Sequence, residues 1–122
     1  MTASALQIAI TTGEPAGVGP ELTVQALQDA ARRWPGAHFT VLGDAALLDA
    51  RAAAVGADRA VLAGGGTVSV EHHPLAAPAQ AGKLDAANGR YVLGLLDAAI
   101  DGALAGRFDA IVTAPLQKST IN

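Results

Sequence analysis

The chain has 122 residues, of which 51% are hydrophobic and only 3% aromatic, and it contains no cysteine. This length suffices for one hydrophobic core and is too short for two ordinary domains. The net charge is −3, and the eight lysines and arginines are scattered, which excludes the basic patch that nucleic acid or anionic lipid requires. The lack of cysteine excludes disulfides, thiolate catalysis and Cys-ligated zinc.

The N-terminal residues "MTASALQIAI" lack the basic region and long apolar stretch of a signal peptide. No stretch approaches the roughly 18 uninterrupted apolar residues of a membrane span. The sequence therefore predicts a cytoplasmic protein that binds neither nucleic acid nor membrane.

The first predicted elements are a central strand at "LQIAIT" and a helix after residue 19, joined by the loop "TTGEPAGVGPEL" at residues 11–22. Pro20 suits the first helical position and Glu21 the positive end of the helix dipole. The predicted apolar face of this helix comprises Leu22, Ala26, Leu27, Ala30, Ala31 and Trp34.

The next predicted elements are a strand at residues 39–43 and a helix that Asp44 caps and Gly56 ends. Two short strand-like runs follow, "AVLA" and "VSV", separated by the glycines at 64–66. Residues 71–83, with two prolines and no clear period, predict an extended loop.

The strongest helical pattern covers residues 91–104, with apolar pairs every four residues and Gly106 as its end. Its apolar stripe predicts a core or dimer surface. Gly94 and Gly102 weaken a helix, so we expect a neighbouring element to approach closely there. The residues "DAIVT", 109–113, predict a buried strand.

Strands that alternate with helices predict a three-layer α/β/α fold with a mostly parallel sheet. Ligands of such folds bind at the carboxyl ends of the strands. The loop after residue 11 and the segment "TAPLQK" after residue 112 both lie at such ends, so we expect them to line one crevice.

The glycine loop does not have the spacing of known phosphate-binding motifs. Gly17 and Gly19 match the start of a dinucleotide fingerprint, but Leu22 stands where the third glycine belongs and Pro20 lacks an amide hydrogen. A Walker phosphate loop fails because no Lys-Ser or Lys-Thr pair follows Gly19. A strand-to-helix turn without chemistry therefore stays an alternative.

Several polar residues allow two interpretations each. Lys118, expected in the first turn of a helix, is either an anion ligand or a solvated lysine. Glu14 either orients a ligand or a lysine, and Glu21 is favoured as a dipole partner over a general acid or base. Thr12 and Thr113 are ligand donors or local turn formers. The histidines His38, His72 and His73 do not have the spacing of a metal site.

The stretch "ITTGEPAGVGPEL" resembles the N-terminal signature of the 4-hydroxythreonine-4-phosphate dehydrogenases of pyridoxal phosphate biosynthesis. It is also similar, more loosely, to the glycine-proline-glutamate loop of the isocitrate and isopropylmalate dehydrogenases, whose fold that family shares. The segment "AGKLDAANGRYVLGLLDAAIDGALAGRFDAIVTAPLQKSTIN" resembles the family's long helix, strand and T-[AG]-P-x-x-K-x-x-I-N stretch. Residues 57–79 match least well.

The resemblance implies an NAD-dependent oxidation and decarboxylation of 4-phosphooxy-L-threonine in a cytoplasmic homodimer. It implies a divalent metal, zinc, magnesium or cobalt, whose histidine ligands lie beyond Asn122, as does a Gly-His-Thr motif that holds substrate. The substrate- or cofactor-binding residues that it implies in this chain are Gly13, Glu14, Gly17, Gly19, Thr113 and Lys118.

On this resemblance residues 1–122 are expected to be the N-terminal segment of a larger two-domain dehydrogenase, incomplete and inactive alone. Two alternatives stay open from the sequence. One is a related dehydrogenase acting on a phosphorylated sugar acid such as threonate or erythronate phosphate. The other is a non-catalytic module that binds an anion or a partner. We also expect an incomplete sheet to expose an apolar edge.

Overall fold

Four strands form one parallel sheet in the computed structural model, which describes residues 6–62, 67–79, 82–83 and 86–114. They are β1 (Leu6–Thr11), β2 (Ala37–Gly43), β3 (Val68–His72) and β4 (Ala110–Thr113). Their spatial order is β3-β2-β1-β4, so β1 lies inside the sheet as predicted. Every pair of neighbouring strands is parallel.

Helices cover both faces of this sheet. α1 (Gly19–Arg33) and α2 (Ala45–Ala54) pack on one face, and α3 (Gly89–Leu104) packs on the other. Short 3₁₀ turns occupy Arg59–Leu62 and Ala86–Asn88. The predicted three-layer α/β/α architecture with a parallel sheet is therefore confirmed. No helix within the described ranges is long and apolar enough to span a membrane.

Two hydrophobic clusters lie on opposite faces of the sheet. The first joins α1 and α2 to Phe39 and Val41 of β2. The second joins α3 to Ala9 of β1 and Leu42 of β2. Successive side chains of a strand point to opposite faces, which explains why Val41 and Leu42 belong to different clusters.

The polar residues Asp44 and Asn88 hold the segment after β3. Asp44 caps α2 as predicted, since its Oδ1 accepts the Leu47 N–H at 2.9 Å, while its Oδ2 accepts the Leu75 N–H at 3.0 Å. The buried Asn88 side chain accepts the backbone N–H groups of Ala76 and Ala77. Residues 73–79 form neither helix nor strand, in agreement with the predicted loop, although Glu71 and His72 still belong to β3.

The prediction of a strand at "AVLA" is wrong. Residues 59–62 form a 3₁₀ turn, because the Asp58 side chain accepts the Ala60 N–H and the Asp58 carbonyl accepts the Val61 N–H. Val61 and Leu62 then pack against the α1 and α2 cluster. The predicted "VSV" strand is confirmed as part of β3, and the glycines at 64–66 lie outside the described residues.

The predicted burial of two elements also needs correction. β4 was expected to be buried, but it has a single neighbour in the described sheet, and Val112 is 52% exposed. Leu22, Ala26 and Trp34 were expected on the buried face of α1, yet all three are exposed. The buried stripe of α1 instead runs through Val24, Leu27 and Ala30, three or four residues apart.

The two glycines inside α3 differ in their surroundings. A Cβ on Gly102 would lie 2.6 Å from Cδ2 of the buried Phe108 ring, which confirms the expected close approach. A Cβ on Gly94 would meet no atom within 4 Å, so the expectation is wrong there. Of these two glycines, only Gly102 is required by the packing of α3.

The substitutions Gly102→Ala and Gly94→Ala should therefore change stability in opposite directions. We expect Gly102→Ala to lower the free energy of unfolding by about 1–3 kcal/mol, because the Phe108 ring must move in a packed core. Gly94→Ala should raise it by about 0.5–1 kcal/mol through the better helix propensity of alanine. Urea unfolding followed by circular dichroism measures both. Equal effects of the two substitutions would contradict the packing argument.

Candidate active site

The strand order places one crevice at the carboxyl edge of the sheet. The connections from β1 to β2 to β3 run in one direction, and the connection from β3 to β4 returns past β1 to the opposite side. The order therefore reverses between β1 and β4, which is where open α/β sheets bind ligands. Thr11 pairs with Thr113, and the Thr11 carbonyl accepts the Ala114 N–H at 2.9 Å.

The glycine loop, residues 12–18, leaves β1 at this crevice and makes a tight turn. Gly13 has a φ of 72°, in the left-handed region that favours glycine. The Gly17 N–H donates to the Glu14 carbonyl at 3.0 Å. α1 then begins at Gly19, with Pro20 in its first turn as predicted.

Gly19 is the point at which the glycine loop and α1 approach Ala114, the residue after β4. A Cβ at this position would overlap the Thr12 carbonyl oxygen and would lie 3.0 Å from Cβ of Ala114. Gly43 has a similar role at the end of β2, because its Cβ would lie 2.7 Å from Oγ1 of Thr12. Gly17 has neither a positive φ nor a comparable clash. The geometry of the loop therefore requires glycine at Gly13 within it and at Gly19 and Gly43 beside it, and sequence analysis did not find Gly43.

The structure brings together five of the six residues named from the sequence. The loop residues Gly13, Glu14 and Gly19 are buried, Gly17 is half-buried, and Thr113 is exposed at the end of the neighbouring strand. Lys118 lies outside the described residues. Val18 is 56% exposed, so the accessible part of the loop is its end next to α1.

A buried arginine that sequence analysis missed holds the loop in place. Arg51, on α2, donates from Nη2 to the Pro15 carbonyl at 2.6 Å and from Nη1 to the Gly17 carbonyl at 3.1 Å. Nη1 also donates to Oε1 of Glu21 at 2.6 Å. The Arg51 side chain is only 9% exposed. One guanidinium therefore connects α2, the loop and the first turn of α1.

The position of Arg51 could have been found from spacing alone. It follows Leu47 and Leu48 by four and three residues, which places it on their buried helix face. A charged residue at such a position needs a partner. Glu21 was expected to act through the helix dipole. It does lie in the first turn of α1, and its carboxylate is also bound in this ion pair.

The carboxylates of the loop do not form a general acid and base pair. Glu21 is engaged with Arg51, and Glu14 is 3% exposed with its Oε1 3.5 Å from the Ala16 nitrogen. At the carboxyl edge of the sheet this part of the chain therefore presents backbone and the positive end of α1.

The end of β2 is anchored from the opposite face by Tyr91 of α3. Its hydroxyl accepts the Asp44 N–H at 2.8 Å. Burial raises the pKa of Tyr91 above its usual 10.0, and this hydrogen bond opposes the rise in part. Asp44 therefore caps α2 with its side chain and anchors the end of β2 through its N–H.

The described residues do not fit a metal site. No group of three or more His, Asp or Glu side chains comes together in the parts of the chain that the structure describes. Each histidine has a protein partner: His38 bonds Ser69, His72 accepts the Ala45 N–H, and His73 bonds Glu71.

We predict that Gly19→Ala lowers the free energy of unfolding by about 3 kcal/mol, because backbone atoms must move to relieve the overlap with Thr12. Gly36→Ala is the matched control. Its Cβ would meet no atom within 4 Å, and its φ is not positive, so we expect a change within about 0.5 kcal/mol. Thermal unfolding measures both, and a neutral Gly19→Ala would contradict the close approach.

We predict that Arg51→Leu lowers the free energy of unfolding by about 3–5 kcal/mol, because Glu21 and two loop carbonyls lose a buried partner. Arg51→Lys should recover part of the loss, since lysine restores the charge without the planar fork. The control is Arg59→Leu, which breaks the exposed ion pair with Asp49 and should change stability far less. Similar losses for Arg51→Leu and Arg59→Leu in urea unfolding would argue against the clamp.

Residues 9–122 match the family described as pyridoxal phosphate biosynthetic protein PdxA. The chain is 92% identical over 122 residues to 4-hydroxythreonine-4-phosphate dehydrogenase of Burkholderia vietnamiensis, covering 100% of this chain and 37% of that protein. It is 57% identical over 126 residues to the enzyme of the same name from Ralstonia nicotianae, covering 96% of this chain and 37% of that protein.

Among solved structures, a 4-hydroxythreonine-4-phosphate dehydrogenase from Burkholderia phymatum superposes with a TM-score of 0.80 at 30% identity. The match covers 98% of this chain and 39% of that one. The chain thus spans about 37% of the length of the curated relatives it matches. The relatives are named as dehydrogenases, whose chemistry requires a hydride acceptor such as a nucleotide cofactor. Together with the crevice at the reversal of strand order, the match over residues 9–122 shows that the chain belongs to the PdxA family.

Proposed function

We propose that this chain supplies the N-terminal part of a 4-hydroxythreonine-4-phosphate dehydrogenase. The reaction is NAD-dependent oxidation of the secondary alcohol of 4-phosphooxy-L-threonine, followed by loss of carbon dioxide from the β-keto acid. The observation that carries the proposal is the contact of two family motifs. Gly19 of the first motif and Ala114 of the second approach each other at the carboxyl edge of adjacent parallel strands.

The described residues suit a positioning role rather than proton transfer. The backbone from Gly13 to Val18, held by Arg51, forms a rigid wall beside the exposed Thr113. Lys118 follows Thr113 by five residues and is proposed to bind the phosphate or carboxylate of the substrate through its ammonium group. Positioning of a charged substrate against a fixed wall lowers the entropic part of the barrier.

NAD is the proposed hydride acceptor. Leu22 and Pro20 break the dinucleotide fingerprint, so this segment would contact the cofactor as a wall of the crevice and would not hold its pyrophosphate alone. The proposed divalent metal, zinc, magnesium or cobalt, has no set of ligands among the described residues. Its site is proposed in the part of the relatives that this chain does not span. A cytoplasmic homodimer is the proposed assembly.

A chimera tests the proposal. Residues 1–122 of this chain are joined to the remaining sequence of the Burkholderia vietnamiensis relative, and NADH formation is followed with 4-phosphooxy-L-threonine as substrate. We expect turnover by the chimera. In the chimera, Lys118→Gln should raise KM on the order of tenfold, because an ion-pair hydrogen bond to the substrate is lost.

The matched control is Lys83→Gln, which removes the other lysine of this chain and should leave the kinetics unchanged. An unchanged KM in Lys118→Gln would contradict the assigned role of that lysine. If the chimera prefers threonate phosphate or erythronate phosphate, that compound replaces 4-phosphooxy-L-threonine as the proposed substrate.

A further inference from the structure

The irregular segment after β3 makes contact with the glycine loop. We call this segment the strap, and the structure describes its residues 73–79 and 82–83. The Gly82 N–H donates to the Ala16 carbonyl at 2.7 Å. Ala16 lies in the middle of the glycine loop and is buried. The strap therefore holds the backbone of the loop at a point that Arg51 does not reach.

Asn88, which precedes α3, holds the middle of the strap. Its side chain is buried, and Oδ1 accepts the N–H groups of Ala76 at 3.1 Å and of Ala77 at 2.9 Å. Nδ2 donates to the Ala77 carbonyl at 3.2 Å. Backbone groups outside helices and sheets need such partners when water cannot reach them. One amide side chain therefore supplies the strap with three hydrogen bonds.

The Asn88 side chain does this in place of its usual local role. Asn88 occupies the N-cap position of α3, yet its side chain makes no capping hydrogen bond. An asparagine at this position commonly accepts an N–H from the first turn of its own helix. Since the amide bonds the strap instead, replacing Asn88 removes hydrogen bonds of the strap and no side-chain cap of α3.

The glycine loop is thus held from two independent directions. Arg51 of α2 binds the carbonyls of Pro15 and Gly17, and the strap binds the carbonyl of Ala16 between them. The helices that carry these two supports pack on opposite faces of the sheet, α2 on one face and α3 on the other. Three consecutive carbonyls of the loop therefore each have a donor from outside the loop.

We infer that Asn88 is a positioning residue of the proposed dehydrogenase, which acts through the strap on Ala16 and keeps the glycine loop in the conformation that receives NAD. The inference rests on the proposed function, in which this loop is a wall of the crevice. Without the hydrogen bonds of Asn88, the loop occupies that conformation for a smaller fraction of the time. The apparent affinity for a ligand falls in proportion to this fraction.

Steady-state kinetics of the chimera with the Burkholderia vietnamiensis sequence test the inference. Asn88→Ala should raise the KM for NAD about fivefold and change kcat by less than about twofold, because bound NAD restores the loop conformation. Asn88→Asp keeps an acceptor oxygen for both N–H groups of the strap, so it should recover most of the loss.

The control is Gly102→Ala, which destabilises α3 in its last turn, on the Phe108 ring and away from the strap. A variant that is only less stable contains fewer folded molecules, so its kcat falls and its KM stays the same. This split between KM and kcat separates positioning by Asn88 from a general loss of stability.

Hydrogen exchange measures the link between the strap and the loop without the reaction. Deuterium uptake by the peptide that covers residues 12–18 is followed by mass spectrometry in the chimera. We expect faster uptake in Asn88→Ala than in Gly102→Ala. Gly82→Ala is a second variant that acts on the contact with Ala16 itself, since Gly82 has a φ of 79°. It should show the same rise in KM and the same faster uptake.

A lower kcat with an unchanged KM for NAD in Asn88→Ala would overturn the inference. Unchanged deuterium uptake by residues 12–18 in that variant would overturn it as well. If the unsubstituted chimera shows no turnover, that result contradicts the proposed function, and the exchange measurement still decides whether Asn88 controls the loop.

Discussion

The hydrogen bonds of one buried guanidinium determine the shape of the candidate site. Residues 12–18 belong to no helix or strand, and the carbonyls of Pro15 and Gly17 need donors inside the protein. Arg51 supplies them and pairs with Glu21 at the start of α1. Because α2 carries this arginine on its apolar face, the packing of α2 on the sheet also fixes the loop. Core packing and site geometry are therefore coupled through a single side chain.

The glycines of the site have two roles: one permits a backbone conformation, and two permit close packing. Gly13 permits a left-handed turn directly after β1, whereas Gly19 and Gly43 permit close approach to Thr12. Close approach to Ala114 follows from the same lack of a Cβ at Gly19. The wall of the crevice is thus a backbone surface that side-chain rotation cannot alter. In the proposed function such a wall positions the substrate.

Local patterns were sufficient for the parts of the fold that depend on neighbours in sequence. Periodicity predicted β1, α1 and α3, and Asp44 was recognised as a cap because the cap bonds a residue three positions away. Arg51 was missed because its carbonyl partners precede it by more than thirty residues. The "AVLA" run was misassigned because a short apolar run fits either a strand or a buried turn, and Asp58 decided between them. The rule for parallel sheets predicted that Gly13, Glu14, Gly17, Gly19 and Thr113 lie near the same edge of the sheet, whereas it did not predict their burial.

The exposure of β4 shows why burial is harder to predict than strand identity. The sequence "DAIVT" has the composition of a strand covered on both faces, and in this structure only Ile111 packs against α3. Val112 is 52% exposed instead. An exposed apolar residue does not argue against the strand, because composition predicts the strand, whereas burial depends on the elements that cover it.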